Sequence, residues 1–312
     1  MRVSVVIATY NRARLLEGGL GALASQEVPR SLEWEIVVVD NNSSDATAAV
    51  VAAFAKTAAV PVRYVLEGRQ GVSHARNRGV IEARGTIVAF SDDDVLAAPD
   101  WVAQVAAAID RWNADGVGGR ILPRWETSPP RWLTENRRLL RRLAIMDFEG
   151  SEKLALPLAP QPQVWGANMA FRREVFGRVG TFDPRRGGAG RKLYRGEESE
   201  LIDRALELGL TIAYDAALTV YHRIGPDRMR RGYFRRFAFD DAQGEALLMP
   251  APRRRSLFGA PLSSYRRAVM DFWKWLSLLP RGRPGIFDQE LRWVGSVGRL
   301  TGYWKARRDG RV

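Results

Sequence analysis

The chain has 312 residues, 46% hydrophobic and 27% charged, the balance of a soluble globular protein with room for one large domain or two modest ones. It contains no cysteine, which excludes disulfides, thiolate metal sites, iron–sulfur clusters and cysteine nucleophiles; its only histidines, His74 and His222, exclude a three-histidine metal centre. The net charge of +13 is uneven: residues 1–225 hold 29 Lys+Arg against 27 Asp+Glu, so +11 of it lies in residues 226–312, which implies either a solvated basic face or an anionic partner such as a membrane surface or nucleic acid. No apolar run approaches the roughly 18 residues of a membrane span. The first strand-like run starts at Val3, so no signal peptide is expected, and the expected location is cytoplasmic.

Short β-branched runs alternate with helical patterns over the first 120 residues. Val3–Ala8 predicts a buried strand and Ala13–Ser25 a helix. Glu35–Val39 is the next strand, followed by an alanine-rich helix capped by Ser44 or Asn42 and reaching Thr57. Val62–Leu66, a helix over Val72–Ala83, Thr86–Phe90, a helix from Pro99 through Ile109, and a strand over Gly116–Ile121 complete the series. Strands that are apolar throughout, separated by helices, predict an α/β protein with a mostly parallel sheet covered on both faces. Residues 123–163 are proline-rich with a helical segment near 135–148, Val164–Phe171 is apolar, and 184–196 is a Gly/Arg loop. A helix over Glu197–Leu208 and short strands at Thr211–Tyr214 and Leu218–Tyr221 follow. After Pro226 come three helices, near 228–248, 263–279 and 288–307.

Two familiar signals fail on context. Gly19-Leu-Gly21-Ala-Leu-Ala24 fits a dinucleotide fingerprint but lies inside a helix, away from the strand-to-helix turn the fingerprint needs. Gly71-Val-Ser73-His-Ala75 approaches a nucleophile elbow, but the preceding strand ends near Leu66; a serine hydrolase around Ser73, with His222 as base, stays as an alternative. The strongest signal is Phe90-Ser91-Asp92-Asp93-Asp94. Three carboxylates at a strand end repel one another unless a cation is held there, and carboxyl ends of parallel strands line the ligand crevice. Such a cluster suits Mg²⁺ or Mn²⁺ with diphosphate oxygens completing the shell, whereas a solvated turn needs only one or two acids. Asp40, at the end of the second strand, is placed to accept a base N–H, and Tyr10 to pack a base; Arg12 reads equally as a surface residue. His222 is a candidate third metal or phosphate ligand or a structural histidine, and His74 a capping or surface residue.

Val5-Val6-Ile7-Ala8-Thr9-Tyr10-Asn11-Arg12, Val39-Asp40-Asn41-Asn42-Ser43-Ser44-Asp45-Ala46-Thr47, Ala75-Arg76-Asn77-Arg78-Gly79 and Phe90-Ser91-Asp92-Asp93-Asp94 resemble, in order, the successive motifs of family 2 glycosyltransferases. Trp165-Gly166-Ala167-Asn168 and Gly196-Glu197-Glu198-Ser199-Glu200-Leu201 resemble that family's acceptor-side motifs. The resemblance covers about 1–225 and implies a GT-A domain there, with a basic helical extension over 226–312. It implies an inverting, metal-dependent enzyme using a nucleotide sugar, with uridine favoured by Asp40. It places Thr9, Tyr10, Asn11, Asp40, Asn42 and Arg76 on the nucleotide side, Asp93 near the ribose or sugar, and Asp92, Asp94 and His222 around Mn²⁺ or Mg²⁺. Trp165, Gly166 and Ala167 fall in the acceptor and sugar pocket. Where the family usually has Glu-Asp, this chain has Glu197-Glu198, either of which would be the base that deprotonates the acceptor hydroxyl. The two glutamates repel, which can raise one pKa, and Gly187, Gly188 and Gly190 would let the preceding loop close over the donor.

The expected acceptor is a glycan or a lipid-linked saccharide, in cell-surface polysaccharide or glycolipid synthesis. The Ser263–Leu279 helix sets Arg267, Asp271 and Lys274 on one stripe and Val269, Phe272, Trp273, Leu276 and Leu279 on the others. That pattern suits a helix lying in a membrane interface or one packed on the catalytic domain; the basic excess favours peripheral contact with anionic lipid. A tail that binds nucleic acid is the rival from another class. Nucleic-acid readers spread positive charge over the docking face, whereas here acids cluster at the predicted site, so no nucleic-acid partner is expected.

Overall fold

The computed structural model describes residues 2–155, 163–187, 196–249, 255–279 and 285–309. These form two compact units, one ending at Gly225 and the other beginning at Pro226. The predicted alternation is present in the first: β1 (Val3–Thr9), α1 (Ala13–Ala24), β2 (Trp34–Asp40), α2 (Thr47–Ala55), β3 (Val62–Leu66), α3 (Val72–Glu82), β4 (Ile87–Asp92), β5 (Val95–Ala97), α4 (Trp101–Arg111) and β6 (Gly116–Trp125). It continues with α5 (Arg131–Thr134), α6 (Arg137–Arg142), β7 (Glu152–Lys153), β8 (Met169–Arg172), α7 (Val175–Val179), α8 (Glu197–Glu207) and β9 (Ile212–Ile224).

One sheet runs β3-β2-β1-β4-β8-β6-β9-β5, with β7 also on β9. β3, β2, β1 and β4 are parallel, and the Val and Ile side chains of β1, β2 and β4 are buried on both faces. Parallel register sets the carboxyl ends side by side: Thr9 opposite Asp40, and Ala8 opposite Asp92. β8 enters antiparallel between β4 and β6. Where two short strands were expected at 211–221, a single strand, β9, runs from Ile212 to Ile224. The reason is a bulge against β6: Gly119 pairs with Asp215 and the next residue, Arg120, with Thr219, so the intervening residues loop out without ending the strand. Asp215 steadies that bulge by accepting the Ala217 N–H. A Cβ at Gly119 would collide with the carbonyl oxygens of Asp215 and Leu218, so the bulge requires glycine.

Three other expectations change. Of the helix expected near 135–148 only Arg137–Arg142, α6, is helical, with α5 just before it; the chain turns out of α6 through Ala144 in a left-handed conformation. Of the apolar run 164–171, only its end is strand, because residues 166–168 turn toward the site. Ser44 does not cap α2: Asp45 accepts both the N–H and the hydroxyl of Thr47, while Ser44 N–H is committed to Asn11. Of the 184–196 loop, residues 188–195, including Gly188 and Gly190, lie outside the described residues.

The second unit consists of α9 (Arg231–Leu248), the hairpin β10 (Ser256–Leu257) and β11 (Ala260–Pro261), α10 (Leu262–Leu278) and α11 (Ile286–Arg308). Gly298 and Gly302 of α11 lie against the carbonyls of Phe239 and Gln243, where a Cβ would collide, so glycine lets α9 and α11 approach closely. Asp271 does not share an outward stripe with Arg267 and Lys274. It turns toward α11 and accepts from Ser296 Oγ and Gln289 Nε2, which satisfies a polar group inside the helix pair.

Candidate active site

The carboxyl ends of β1, β2 and β4, the start of α3 and the start of α8 converge on one polar corner of the first unit. Asp40 is buried at the end of β2. Its Oδ1 accepts from Ser43 N–H and its Oδ2 from the Tyr64 hydroxyl. Thr9, paired with it in the sheet, turns its hydroxyl to Asp93 and donates to Oδ2 at 2.9 Å. Arg12, just past β1, donates to Asp93 Oδ1 at 2.9 Å and to Asp94 Oδ2 at 3.1 Å. Burial raises the Asp93 carboxyl to about 6; Arg12 pulls it down, and Asp94 and Asp92 push it up.

Asp94 also faces His222, with Oδ1 3.3 Å from Nε2. β5 makes this approach: it pairs antiparallel with β9, Val95 opposite His222, and so carries Asp94 to the histidine. The other ring nitrogen, Nδ1, lies 2.7 Å from the Leu143 carbonyl oxygen, which can only accept, so Nδ1 carries the hydrogen. Carboxylate oxygen plus imidazole nitrogen is a donor set that Mn²⁺ accepts. Among the described residues no group of three or more His, Asp or Glu side chains is arranged to hold a metal ion. A cation at this pair would have two protein groups and would need diphosphate oxygens to complete its shell.

Asp92 stands on the other side of the corner, paired with Arg76. That guanidinium, buried in α3, donates to Asp92 Oδ1 at 3.3 Å and to Glu197 Oε1 at 2.7 Å, and lies 5.8 Å over the Phe182 ring. Gly166 forms its seat, since a Cβ there would run into the guanidinium. Glu197 is buried, and its second oxygen, Oε2, has no hydrogen-bond partner. Burial first and Glu198 second push the Glu197 carboxyl up to about 8, with Arg76 pulling the other way. Glu198 is half-buried, and its Oε2 also has no hydrogen-bond partner. The corner is thus an alternating chain of charges, Glu197–Arg76–Asp92 on one side and Arg12–Asp93/Asp94–His222 on the other.

The remaining expected residues have mixed placements. Trp165 is half-buried and donates from Nε1 to Gln163; Ala167 is buried. Asn168 braces the sheet, accepting from Trp101 Nε1 and donating to the carbonyls of Arg120 and Leu218. Asn11 accepts from Ser44 N–H and so ties the first loop to the second, while Asn42 is exposed with a left-handed backbone. Ser73 is buried in α3 and donates to the Arg186 carbonyl, while His222 is engaged with Asp94; the serine-hydrolase alternative fails on that geometry. Sequence reasoning missed two contributors. Asn41 is buried and holds the loop before α3 through Glu67, Arg69 and Gly71. Arg12 became visible only through its remote partners; for Asn41, its place beside Asp40 was the available signal.

Residues 4–180 match the family model described as glycosyl transferase family 2. The chain belongs to that family. Among relatives of this glycosyltransferase is the glucosyl-dolichyl phosphate glucuronosyltransferase of Haloferax volcanii, 29% identical over 231 residues, which covers 72% of this chain and 70% of the relative. The poly(ribitol-phosphate) beta-N-acetylglucosaminyltransferase TarS of Staphylococcus aureus is 31% identical over 147 residues, covering 44% of this chain but only 26% of TarS. Among solved structures, the mannosyltransferase PcManGT of Pyrobaculum calidifontis, in complex with GDP-Man and Mn²⁺, superimposes with a TM-score of 0.60 at 21% identity, over 99% of this chain and 87% of that one. TarS 1–349 in complex with UDP gives 0.54 at 17% identity, over 99% and 92%. These structural likenesses establish the fold: a GT-A type α/β sheet, with a helical C-terminal region.

Proposed function

We propose that this family 2 glycosyltransferase moves a sugar from a uridine diphosphate sugar to a hydroxyl of a glycan or lipid-linked acceptor, with inversion and with a divalent cation at the corner. The observation that carries this reading is the Asp94–His222 pair, with carboxylate oxygen and ring nitrogen 3.3 Å apart, beside the strand tips that hold Asp40 and Asp92. Mn²⁺ or Mg²⁺ there would be held by Asp94 and His222 and would neutralise charge on the departing diphosphate. Asp40 and Tyr10 would face the base, and Thr9 and Asp93 the ribose side. Arg76 fixes Glu197 and Asp92 in one frame, so the acceptor helix and the donor tip are set relative to each other.

Glu198 takes the proton from the acceptor hydroxyl, and the oxygen so activated attacks the anomeric carbon on the face opposite the diphosphate. It stands half-buried at the start of α8, beside the Arg76–Glu197 pair. Glu197, committed to Arg76, acts as the positioning residue. The Haloferax relative, named for a lipid-phosphate-linked saccharide, supports a lipid-linked acceptor; the same reading sets the 226–312 unit on the inner membrane surface. Isothermal titration tests the donor side. UDP should bind at least about tenfold more tightly with Mn²⁺ than without, and Asp94→Ala should remove that gain. Equal UDP affinity with and without Mn²⁺ would overturn the proposal, as would tight, Mn²⁺-independent RNA binding.

A further inference from the structure

The second unit exposes apolar surface that its internal packing does not use. α10 directs Phe272 and Trp275 to α11, where Trp275 stacks on Trp293 at 5.2 Å and Phe272 meets the same ring at 5.3 Å. Leu262, Val269, Met270 and Trp273 recur on the opposite side, each between 47% and 61% exposed. Arg266, Arg267 and Lys274 border that stripe, with no ion pair among the described residues.

The preceding hairpin adds a second, independent observation. Its turn residues, Phe258 and Gly259, have φ of +49° and +81°. The left-handed region is unfavourable for phenylalanine. No burial offsets this, since the ring at the tip is 61% exposed. The tip is nevertheless held rigidly: Trp304 Nε1 donates to the Tyr265 hydroxyl, which donates to the Leu257 carbonyl. Beside it, Phe258, Trp304, Arg307 and Arg308 line a groove of about 560 Å³. A strained, fixed aromatic tip next to an apolar helix stripe with a basic border has the composition of a surface that lies in a bilayer interface. Among the described residues no helix is long and apolar enough to cross a membrane.

We propose that the Phe258 tip and the Leu262–Trp273 stripe dock on a bilayer containing anionic phospholipid, with Arg307 and Arg308 facing lipid phosphate. Charge selects this occupant over a second copy of the chain: residues 226–312 carry +11, and two such faces would repel. The inference deepens the membrane part of the proposed function and rests on that part alone.

Flotation of the full chain with phosphatidylcholine vesicles, with and without phosphatidylglycerol, at low and high salt, tests it. Binding is expected only with phosphatidylglycerol and weaker at high salt. Phe258→Asp with Trp273→Glu should lower it at least about tenfold. Arg307→Gln with Arg308→Gln, changes confined to the surface, should weaken it mainly at low salt. No flotation of the unaltered chain, equal flotation of both double variants, or a dimer that Trp273→Glu converts to monomer would overturn the proposal. UDP titration of the same proteins reads the donor site separately. Its failure in the unaltered chain would count against the proposed reaction and not against docking.

Discussion

Glu198→Gln is expected to lower kcat by about 10²- to 10⁴-fold while leaving UDP affinity unchanged. The amide keeps the size and polarity of the side chain but cannot take up the acceptor proton. Glu198 lies at the start of α8 and, unlike its neighbour, makes no bond to the guanidinium that reaches the donor tip. Glu197→Gln should behave differently, because it weakens the partner of Arg76: stability and donor affinity fall along with turnover. Steady-state kinetics beside nucleotide titration separates the two variants. Full turnover by Glu198→Gln would move the proton acceptor to Glu197.

Arg76→Met is expected to destabilise the first unit by about 3–5 kcal/mol, the cost of removing one partner from a buried ion pair. Glu197, pushed up to about 8 even with Arg76 beside it, then takes up a proton and is left as a buried carboxyl without its partner. Arg76→Lys should recover little, since a single ammonium cannot span Asp92 and Glu197 as the planar fork does. Arg76→Met combined with Glu197→Gln should regain part of the stability, because no buried carboxyl is left without its partner at that position, but not activity. Urea denaturation of the three variants measures this. A loss below about 1 kcal/mol for Arg76→Met, the value of an exposed pair, would show that the guanidinium is not the strut described here.

Features fixed by local pattern were legible in the sequence. The apolar β-branched runs that end in Asp40 and in Asp92–Asp94 announce parallel strands with acids at their tips, and the structure sets those tips on either side of the end of β1. Features fixed by distant partners were not. β5 is three residues between the aspartates and Pro99, too short for any periodicity, yet it delivers His222 to Asp94. Arg12 has an ordinary surface context in sequence; carboxylates more than eighty residues away define it. Asp271 looked outward by helical spacing and turned inward because Gln289 and Ser296 of α11 satisfy it. Asn168 belongs to a motif tied to the acceptor side, while its three hydrogen bonds brace Trp101, β6 and β9.

A crystal soaked with Mn²⁺ and UDP, with anomalous scattering recorded for manganese, addresses the central claim most directly. The account predicts a manganese peak bonded to Asp94 and His222 Nε2, diphosphate oxygens completing its shell, and Arg12 withdrawn from Asp94. UDP bound with no manganese at that corner, and Arg12 still bridging Asp93 and Asp94, would contradict it.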